Sequence, residues 1–266
     1  MTRTVLVTGA SRGIGEATAR RFDSNGWCVY GTARDAERVD AGDVALSLDV
    51  TDDAEVRDAV ERVVNDEGRI DCVVNNAGNS LLGPVEETDV EDARAQFNVN
   101  FHGPHRVVRA ALPYMREQGD GTVVNVSSIA GRVASPGMGT YAASKHALEA
   151  LCDAVRVEVS RFGVDVVLVE PGPVDTGFVD DVVGHLDYDG PYADVHKGLR
   201  RFVESGVHGP LAASPDDVAK KIVAAAESDH PKPRYTVGHG SSLLRATEHT
   251  PSSVRDAAQR LFLRLP

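Results

Sequence analysis

A tyrosine and a lysine four residues apart are the residues of this sequence best suited to proton-transfer chemistry. Tyr141 and Lys145 stand at the start of a long apolar-periodic run, so a helix would place both side chains on one face. A free phenol has a pKa of about 10, and a neighbouring ammonium favours the phenolate, so we expect Lys145 to lower the pKa of Tyr141. Tyr141 could then act as a general acid and base. The alternative is a structural pair on a solvated helix face.

Two further polar residues precede the pair. Ser128 lies across a loop containing Gly and Pro, and its hydroxyl could hydrogen-bond the substrate oxygen that Tyr141 protonates. Asn100 lies at the first of the interruptions that Gly103, Pro104 and Pro113 make in a helical region from 89 to 118. Interruptions expose backbone groups to a site or to water, although Asn100 could also simply cap a kink.

A glycine-rich turn near the start predicts a dinucleotide site. The β-branched run from Thr4 to Thr8 reads as a strand, and an amphipathic helix follows to about Asn25. The turn between them contains Gly9, Ala10, Ser11, Arg12, Gly13, Ile14 and Gly15. Small residues let backbone N–H groups approach a pyrophosphate, and the helix N-terminus adds positive potential. No Gly-Lys-Ser/Thr follows, which excludes a nucleoside-triphosphate loop; the remaining alternative is an incidental turn.

The end of the second strand indicates which dinucleotide is bound. An acid at this position grips the ribose 2′-hydroxyl of NAD, whereas a 2′-phosphate requires arginine. The acid is replaced here by Ala33, and Arg34 follows directly, with Arg12 available from the glycine-rich turn. Two guanidinium groups could bind one phosphate, so we expect NADP(H) in preference to NAD(H). Asp35, one residue later, could instead reach a hydroxyl.

Strands alternate with helices along the chain. Besides the first strand and the second (27–32), the pattern predicts strands at 44–48, 70–74, 122–126, 164–170 and 234–237. This alternation is typical of an α/β fold in three layers, with a doubly wound parallel sheet. Ligands of such sheets bind at the carboxyl ends of the strands, where the polar motifs fall.

The length favours one domain over residues 1–266. The segment at about 178–211 loses periodicity, and a stretch of this length in a compact domain is typical of a substrate lid. A C-terminal extension at about 239–266 carries leucines that could pack on the body or pair subunits, a membrane contact being less favoured. Absence of a long apolar run or signal peptide predicts a cytoplasmic protein without a membrane span.

The charge balance bears on partners. The formal net charge of −12 without a basic patch argues against nucleic acid. Such an acidic, lysine-poor composition is compatible with a halophilic source, or with an ordinary acidic protein from a GC-rich genome. The three cysteines, Cys28, Cys72 and Cys152, read as free thiols, and the nine histidines show no metal-ligand spacing, so we expect no metal.

Together these motifs resemble the short-chain dehydrogenase/reductase family over nearly the whole chain. The residues that carry the resemblance are Thr8 to Gly15, Asn75 to Gly78, Asn100, Ser128, Tyr141, Lys145, and Pro171 with Gly172. The resemblance implies a seven-stranded Rossmann-type sheet and a homodimer or homotetramer. It also implies that Tyr141 is the general acid/base, Ser128 positions the carbonyl, Lys145 holds the nicotinamide ribose, and Asn100 anchors a proton-relay water.

The same resemblance assigns the remaining cofactor contacts. It places Asp49 and Val50 at the adenine, Asn76, Ala77 and Gly78 at the cofactor ribose, and Val174 and Thr176 at the nicotinamide carboxamide. The last third is most similar to the branch of 17β-hydroxysteroid and retinol dehydrogenases. Apolar residues near the expected pocket, namely Val133, Met138, Phe178, Val179 and Val182, favour a hydrophobic ketone, aldehyde or secondary alcohol.

Three alternatives remain open. Ketoacyl-carrier-protein reductases are similar over the first two thirds, but their usual Val-Asp-Gly-Gly ending is absent here. A non-catalytic dinucleotide-binding sensor would tend to lose the catalytic residues, which this chain keeps. A sugar-nucleotide epimerase or dehydratase shares the Tyr-Lys pair but normally has wider glycine spacing and a larger C-terminal domain.

Overall fold

A computed structural model describes residues 2–176, 186–207, 209, 212–238, 241 and 247–264. Parts of the expected lid and of the C-terminal extension, including Phe178, Val179 and Val182, lie outside the described residues. Within the described ranges, no helix is long and apolar enough to cross a membrane. Cys72 and Cys152 are buried free thiols, and Cys28 is a half-buried one.

The core of the molecule is a seven-stranded parallel sheet, as predicted. Its strands are β1 (Thr4–Thr8), β2 (Cys28–Ala33), β3 (Val44–Ser47), β4 (Cys72–Asn75), β5 (Gly121–Val126), β6 (Val164–Pro171) and β7 (Arg234–Val237). Their spatial order is β3-β2-β1-β4-β5-β6-β7, and all neighbours are parallel. The order reverses between β1 and β4, and in doubly wound sheets ligands bind at that reversal.

Helices cover both faces of the sheet. They are α1 (Gly13–Ser24), α2 (Asp53–Glu67), α3 (Val90–Phe97), α4 (Gly103–Gln118), α5 (Gly139–Val159), α6 (Ala193–Arg201), α7 (Pro215–Ala226) and α8 (Ser252–Arg264). Local sequence explains several ends. The Asp52 carboxylate accepts hydrogen bonds from the first turn of α2, and Gly68 ends that helix with φ of 74°. A capping box between Ser214 and Asp217 begins α7.

The two-residue period of β1 separates two apolar layers. Val5 and Val7 pack on one face of the sheet with Phe22 and Ile222, whereas Leu6 packs on the other face in the cluster that contains Leu148. Both layers are apolar because parallel strands are buried on both sides. This packing holds the carboxyl ends of the strands in fixed positions relative to one another.

The region from 89 to 118 differs in part from its prediction. One turn of π-helix, Asn98–His102, joins α3 to α4, so the interruption near Gly103 is real. Pro113, by contrast, does not interrupt α4, which continues to Gln118. Proline removes only one backbone donor, and packing of Val107, Val108, Ala111 and Met115 in the core outweighs that loss. The expected lid also contains regular structure, because α6 lies within it.

Candidate active site

A cleft of about 1080 Å³ opens along the carboxyl ends of the strands. Among the described residues, the expected catalytic and cofactor-binding residues line it, except for Gly15 and Asn100. The lining residues among them are Gly9, Ser11, Arg12, Gly13, Ile14, Arg34, Asp49, Val50, Asn76, Ala77, Gly78, Ser128, Tyr141, Lys145, Pro171, Gly172, Val174 and Thr176. The fold therefore brings motifs from the ends of six strands, β1 to β6, to one cavity.

The glycine-rich turn after β1 requires glycine for two reasons. Gly9 and Gly13 have φ values of 68° and 58°, in the left-handed region that favours glycine. A Cβ on Gly15 would lie 2.0 Å from the Gly9 carbonyl oxygen, so this residue packs the helix start against the turn. A Cβ on Gly13 would lie 3.1 Å from Cβ of Thr176, which shows how closely the loop after β6 approaches the turn. The turn therefore presents bare backbone to the cleft.

Thr8 and Asn76 tie this turn to the end of β4. The Thr8 hydroxyl accepts hydrogen bonds from the backbone N–H groups of Asn76 and Ala77, both at 3.0 Å. The Asn76 side-chain amide donates to the carbonyl oxygens of Thr8 and Gly9 at 2.9 and 3.0 Å. Sequence reasoning assigned Asn76 only to the cofactor ribose and gave Thr8 no role of its own. The two residues fix the shape of the turn.

The cleft is basic at the end near β2. Arg12 and Arg34 are exposed and line it, and within the described part of the chain neither guanidinium is in an ion pair or a hydrogen bond. Asp35 is not among the lining residues. Its carboxylate instead accepts a hydrogen bond from the Glu37 backbone N–H, which caps the short 3₁₀ turn Ala36–Arg38. Two guanidinium groups thus face the cleft here without a carboxylate from β2. The acid that lines this end is Asp49, after β3, whose carboxylate accepts hydrogen bonds from Thr51.

Tyr141, Lys145 and Ser128 meet at the centre of the cleft. The Lys145 ammonium lies 6.0 Å from the centre of the Tyr141 ring and donates a hydrogen bond to the Val126 carbonyl oxygen at 2.9 Å. Ser128 caps a 3₁₀ turn by accepting from the Ala130 N–H at 3.1 Å, and it also hydrogen-bonds Tyr141. Tyr141 and Lys145 are both buried. The four-residue spacing on α5 therefore gives the shared face that was predicted.

The expected pKa of Tyr141 was wrong in direction. Burial raises the pKa of Tyr141 to about 12, and the hydrogen bond with Ser128 opposes this rise only in part. Burial also lowers the pKa of Lys145 to about 8, while the Glu149 carboxylate acts to raise it. Burial disfavours the charged form of each group, because both lose their contact with water. In this structure Tyr141 is a neutral phenol at neutral pH.

Asn100 is fully buried in the π-helical turn. Its side-chain oxygen accepts from the Asn79 N–H at 3.0 Å, and its amide donates to the Asn79 carbonyl at 2.9 Å and to the Ser144 hydroxyl at 3.1 Å. Ser144 in turn donates to the Tyr141 carbonyl oxygen at 2.7 Å. Asn100 therefore links the loop after β4 to the first turn of α5, behind the cleft wall.

A buried ion-pair network below the centre escaped sequence reasoning. Arg234 lies 3.1 Å from the Glu149 carboxylate and 3.2 Å from that of Glu170, and both acids are buried. Arg132 directly follows the 3₁₀ turn that Ser128 caps. It lies 3.7 Å from Glu149 and 2.8 Å from Glu248. This network joins segments far apart in sequence, so no local pattern could have indicated it. Its members are Arg132, Glu149, Glu170, Arg234 and Glu248.

The opposite end of the cleft is mainly apolar. The expected residues Val133 and Met138 line it, together with Leu82, Leu199, Phe202, Val207, Val254, Ala258 and Leu263. Three of these come from helix α8, so this part of the C-terminal extension packs on the body of the molecule, one of the arrangements expected for it. No group of three or more potential metal ligands occurs among the described residues. The arrangement suits proton transfer to an oxygen held between Ser128 and Tyr141, beside an apolar wall.

Comparison with known proteins places this chain among oxidoreductases. A family model described as short chain dehydrogenase matches residues 3–186. A 3-ketodihydrosphingosine reductase from Bacteroides thetaiotaomicron is 41% identical over 66% of this chain and 66% of that protein. The 17-beta-hydroxysteroid dehydrogenase type 1 of Homo sapiens is 37% identical over 95% of this chain and 83% of that protein. A short chain dehydrogenase from Burkholderia cenocepacia, solved in complex with NADP, is 26% identical over 100% of this chain and 98% of its own, with a TM-score of 0.79.

Proposed function

Because the chain belongs to the short-chain dehydrogenase/reductase family, whose members act on C–OH or C=O groups with nicotinamide cofactors, we propose that it is an NADP(H)-dependent oxidoreductase. Its substrate would be a hydrophobic ketone or aldehyde, or the corresponding alcohol. The observation that carries the proposal is the meeting of Ser128, Tyr141 and Lys145 in the same cleft as the glycine-rich turn. The apolar wall supports the hydrophobic substrate, as do a sphingoid-ketone and a steroid enzyme among the relatives.

In the proposed reaction, bound NADPH would supply the hydride for the carbonyl carbon. The Tyr141 phenol donates its proton to the carbonyl oxygen, which becomes the alcohol hydroxyl, and Tyr141 later regains a proton from water. The raised pKa of Tyr141 keeps this proton in place at neutral pH. The Ser128 hydroxyl orients the same oxygen, and Lys145 holds the cofactor ribose. Asn100 would anchor a relay water behind Tyr141.

The residues at the basic end fit a 2′-phosphate. Arg12 and Arg34 face the cleft with no partner among the described residues. The Asp35 carboxylate, by contrast, accepts a hydrogen bond from the Glu37 backbone N–H. A phosphate gains charge-assisted hydrogen bonds from such guanidinium groups, whereas a ribose hydroxyl gains little. The NADP-bound structure of a related protein is consistent with this preference.

The first experiment tests the catalytic role. Tyr141→Phe should lower kcat for NADPH-dependent reduction by about 10²- to 10⁴-fold because it removes the proton donor. NADPH binding, measured by fluorescence titration, should stay within about two-fold, since the ring still packs. Turnover equal to that of the unaltered enzyme would contradict the mechanism. Absence of turnover in the unaltered enzyme on a broad carbonyl panel, with NADPH binding retained, would favour a sensor.

The second experiment tests the cofactor preference. Arg34→Ala should weaken NADPH binding about ten-fold and NADH binding much less, because only NADPH carries the 2′-phosphate. The matched control is Arg38→Ala, since Arg38 is exposed in the short turn that follows Arg34 but does not line the cleft. Equal losses for the two cofactors would refute the NADP(H) preference.

We also propose a homodimer or homotetramer in the cytoplasm, with a substrate lid over about 178–211. The oligomeric state can be read from size-exclusion chromatography with light scattering. The acidic composition supports a halophilic source as a further proposal, which the dependence of stability and activity on salt concentration would test.

A further inference from the structure

The C-terminal segment, residues 247–264, forms part of the cleft wall. Its lining residues are Thr247, Thr250, Val254, Arg255, Ala258, Gln259 and Leu263. From Val254 onwards they follow the spacing of one helical stripe, so α8 turns one side toward the cleft. The stripe is mixed, with Arg255 and Gln259 as its polar members and Val254, Ala258 and Leu263 as its apolar ones.

Three contacts hold this segment in place. The Gln259 side-chain amide donates a hydrogen bond to the Ala134 carbonyl oxygen at 2.8 Å. Glu248 forms an ion pair with Arg132 at 2.8 Å, and Leu263 lies against Gly198 of α6. Two of the three partners belong to the loop that follows Ser128. The segment is therefore docked over the substrate half of the cleft.

Arg255 is a cation in the mainly apolar half of the cavity. The other cations that line the described cleft are Arg12 and Arg34 at the cofactor end and Lys145 at the centre. The Arg255 side chain is half-buried, and its guanidinium has no ion pair or hydrogen bond within the described ranges. The carboxylate of Glu248, in the same segment, is already paired with Arg132. Asp49, the acid among the described lining residues, lies at the opposite end after β3.

We infer that the substrate is an apolar carbonyl compound with an anionic group, carboxylate or phosphate, at the end remote from the carbonyl, and that Arg255 binds this anion. This inference rests on the proposed function. A guanidinium group can donate two parallel hydrogen bonds to a carboxylate or to a phosphate. Thr250 and Gln259, from the same C-terminal segment, also line the cleft and are polar. The apolar stretch between Lys145 and Arg255 would then accommodate the chain that separates the two ends of the substrate.

The test compares matched substrates. Straight-chain methyl ketones with a terminal carboxylate, of eight to fourteen carbons, are assayed with NADPH beside their primary amides, which have the same shape without the charge. We expect at least one chain length whose carboxylate has a kcat/KM about ten-fold above that of its amide, mostly through KM. The phosphate monoester of the matching keto alcohol, assayed beside that alcohol, shows which anion is preferred.

Two variants assign the effect to this side chain. Arg255→Ala should bring the ratio of charged to neutral substrate close to one, and Arg255→Lys should keep part of it. The control, Arg260→Ala, removes an exposed arginine of the same helix that does not line the cleft, and should keep the full ratio. The inference is overturned if the enzyme reduces the neutral ketones and shows no preference for either anion. It is also overturned if Arg255→Ala leaves the ratio of charged to neutral substrate unchanged. Both results leave the proposed function intact. If no ketone is reduced at all, both fail.

Discussion

At the scale of single residues, burial decides the protonation of Tyr141 and Lys145, the proposed catalytic pair. Tyr141 keeps its proton because desolvation raises its pKa to about 12, and Lys145 loses its proton unusually early because desolvation lowers its pKa to about 8. A neutral phenol is the form that can donate a proton to a developing alkoxide. The pair as it stands is thus suited to carbonyl reduction near neutral pH, with Lys145 still charged.

The lysine pKa predicts a pH profile. Reductive kcat/KM should fall as the pH rises through about 8, because Lys145 then loses the charge with which, in the proposed mechanism, it holds the cofactor ribose. Glu149→Gln should move this alkaline limb to lower pH, since the Glu149 carboxylate acts to raise the pKa of Lys145. Initial rates at saturating NADPH, measured between pH 6 and 10, provide the test.

A matched control separates this effect from general damage to the network. Asp153 lies on the same helix and pairs with Arg234 at 2.6 Å, but it does not contribute to the shift of Lys145. Asp153→Asn should therefore leave the limb where it is. The alkaline fall in kcat/KM could stay at the same pH in Glu149→Gln, or move equally in both variants. Either result would count against the assignment of this fall to Lys145.

At the scale of elements, the buried ion-pair network positions the catalytic groups relative to one another. Glu149 on α5 binds Arg132, which follows the Ser128 turn, and Arg234, which begins β7. Gly131 packs so closely that an added Cβ would lie 3.1 Å from the Glu149 side chain. The helix that carries Tyr141 and the turn that carries Ser128 are thus held together by one carboxylate.

Arg234→Gln should lower the free energy of unfolding by about 3 kcal/mol at neutral pH, because it leaves two buried carboxylates without their main counter-charge. Arg234 now acts to lower the pKa of Glu149, which burial raises, so the carboxyl would take up a proton more readily in the variant. The loss of stability should consequently shrink as the pH falls. Urea unfolding at pH 7.5 and 5.5 measures both effects.

The exposed pair of Arg62 and Asp66 supplies the control for this prediction. Arg62→Gln makes the same chemical change at the surface, where solvent screens the charges, and should alter stability little at either pH. If the two variants behaved alike, the network would have no special structural role.

At the scale of the whole molecule, the cleft and the remaining surface have opposite charge. The chain has a formal net charge of −12, yet the described cleft lining contains four cations and one acid. Such a distribution attracts anionic ligands to one place on an otherwise repelling molecule. Ionic strength should therefore act on binding and on stability in opposite directions.

Raising KCl from 0.1 to 1 M should weaken NADPH binding, and NADH binding less, because screening reduces the attraction to the 2′-phosphate. The same salt should raise Tm, because it screens repulsion among the surface carboxylates. Fluorescence titration and thermal unfolding in parallel test this pair of effects. A fall in Tm, or equal weakening for both cofactors, would contradict it.

The salt series also tests the proposal of a halophilic source. Screening alone should be nearly complete by about 1 M, where the Debye length is only about 3 Å. Continued gains in Tm and activity above that concentration would favour halophilic adaptation. A plateau would favour an ordinary acidic protein.

The sequence alone determined the sheet of seven parallel strands and the family, because both depend on local patterns. Strand periodicity, helix caps and short motifs such as Gly9 to Gly15 or Tyr141 with Lys145 involve neighbours in the chain, whose geometry a helix or turn dictates. Only the tertiary structure decided the direction of the Tyr141 pKa, the hydrogen bonds between Thr8 and Asn76, the Glu149 network and the place of Arg255. Each of these depends on burial or on partners distant in sequence, and desolvation and long-range charge are set by how the elements pack.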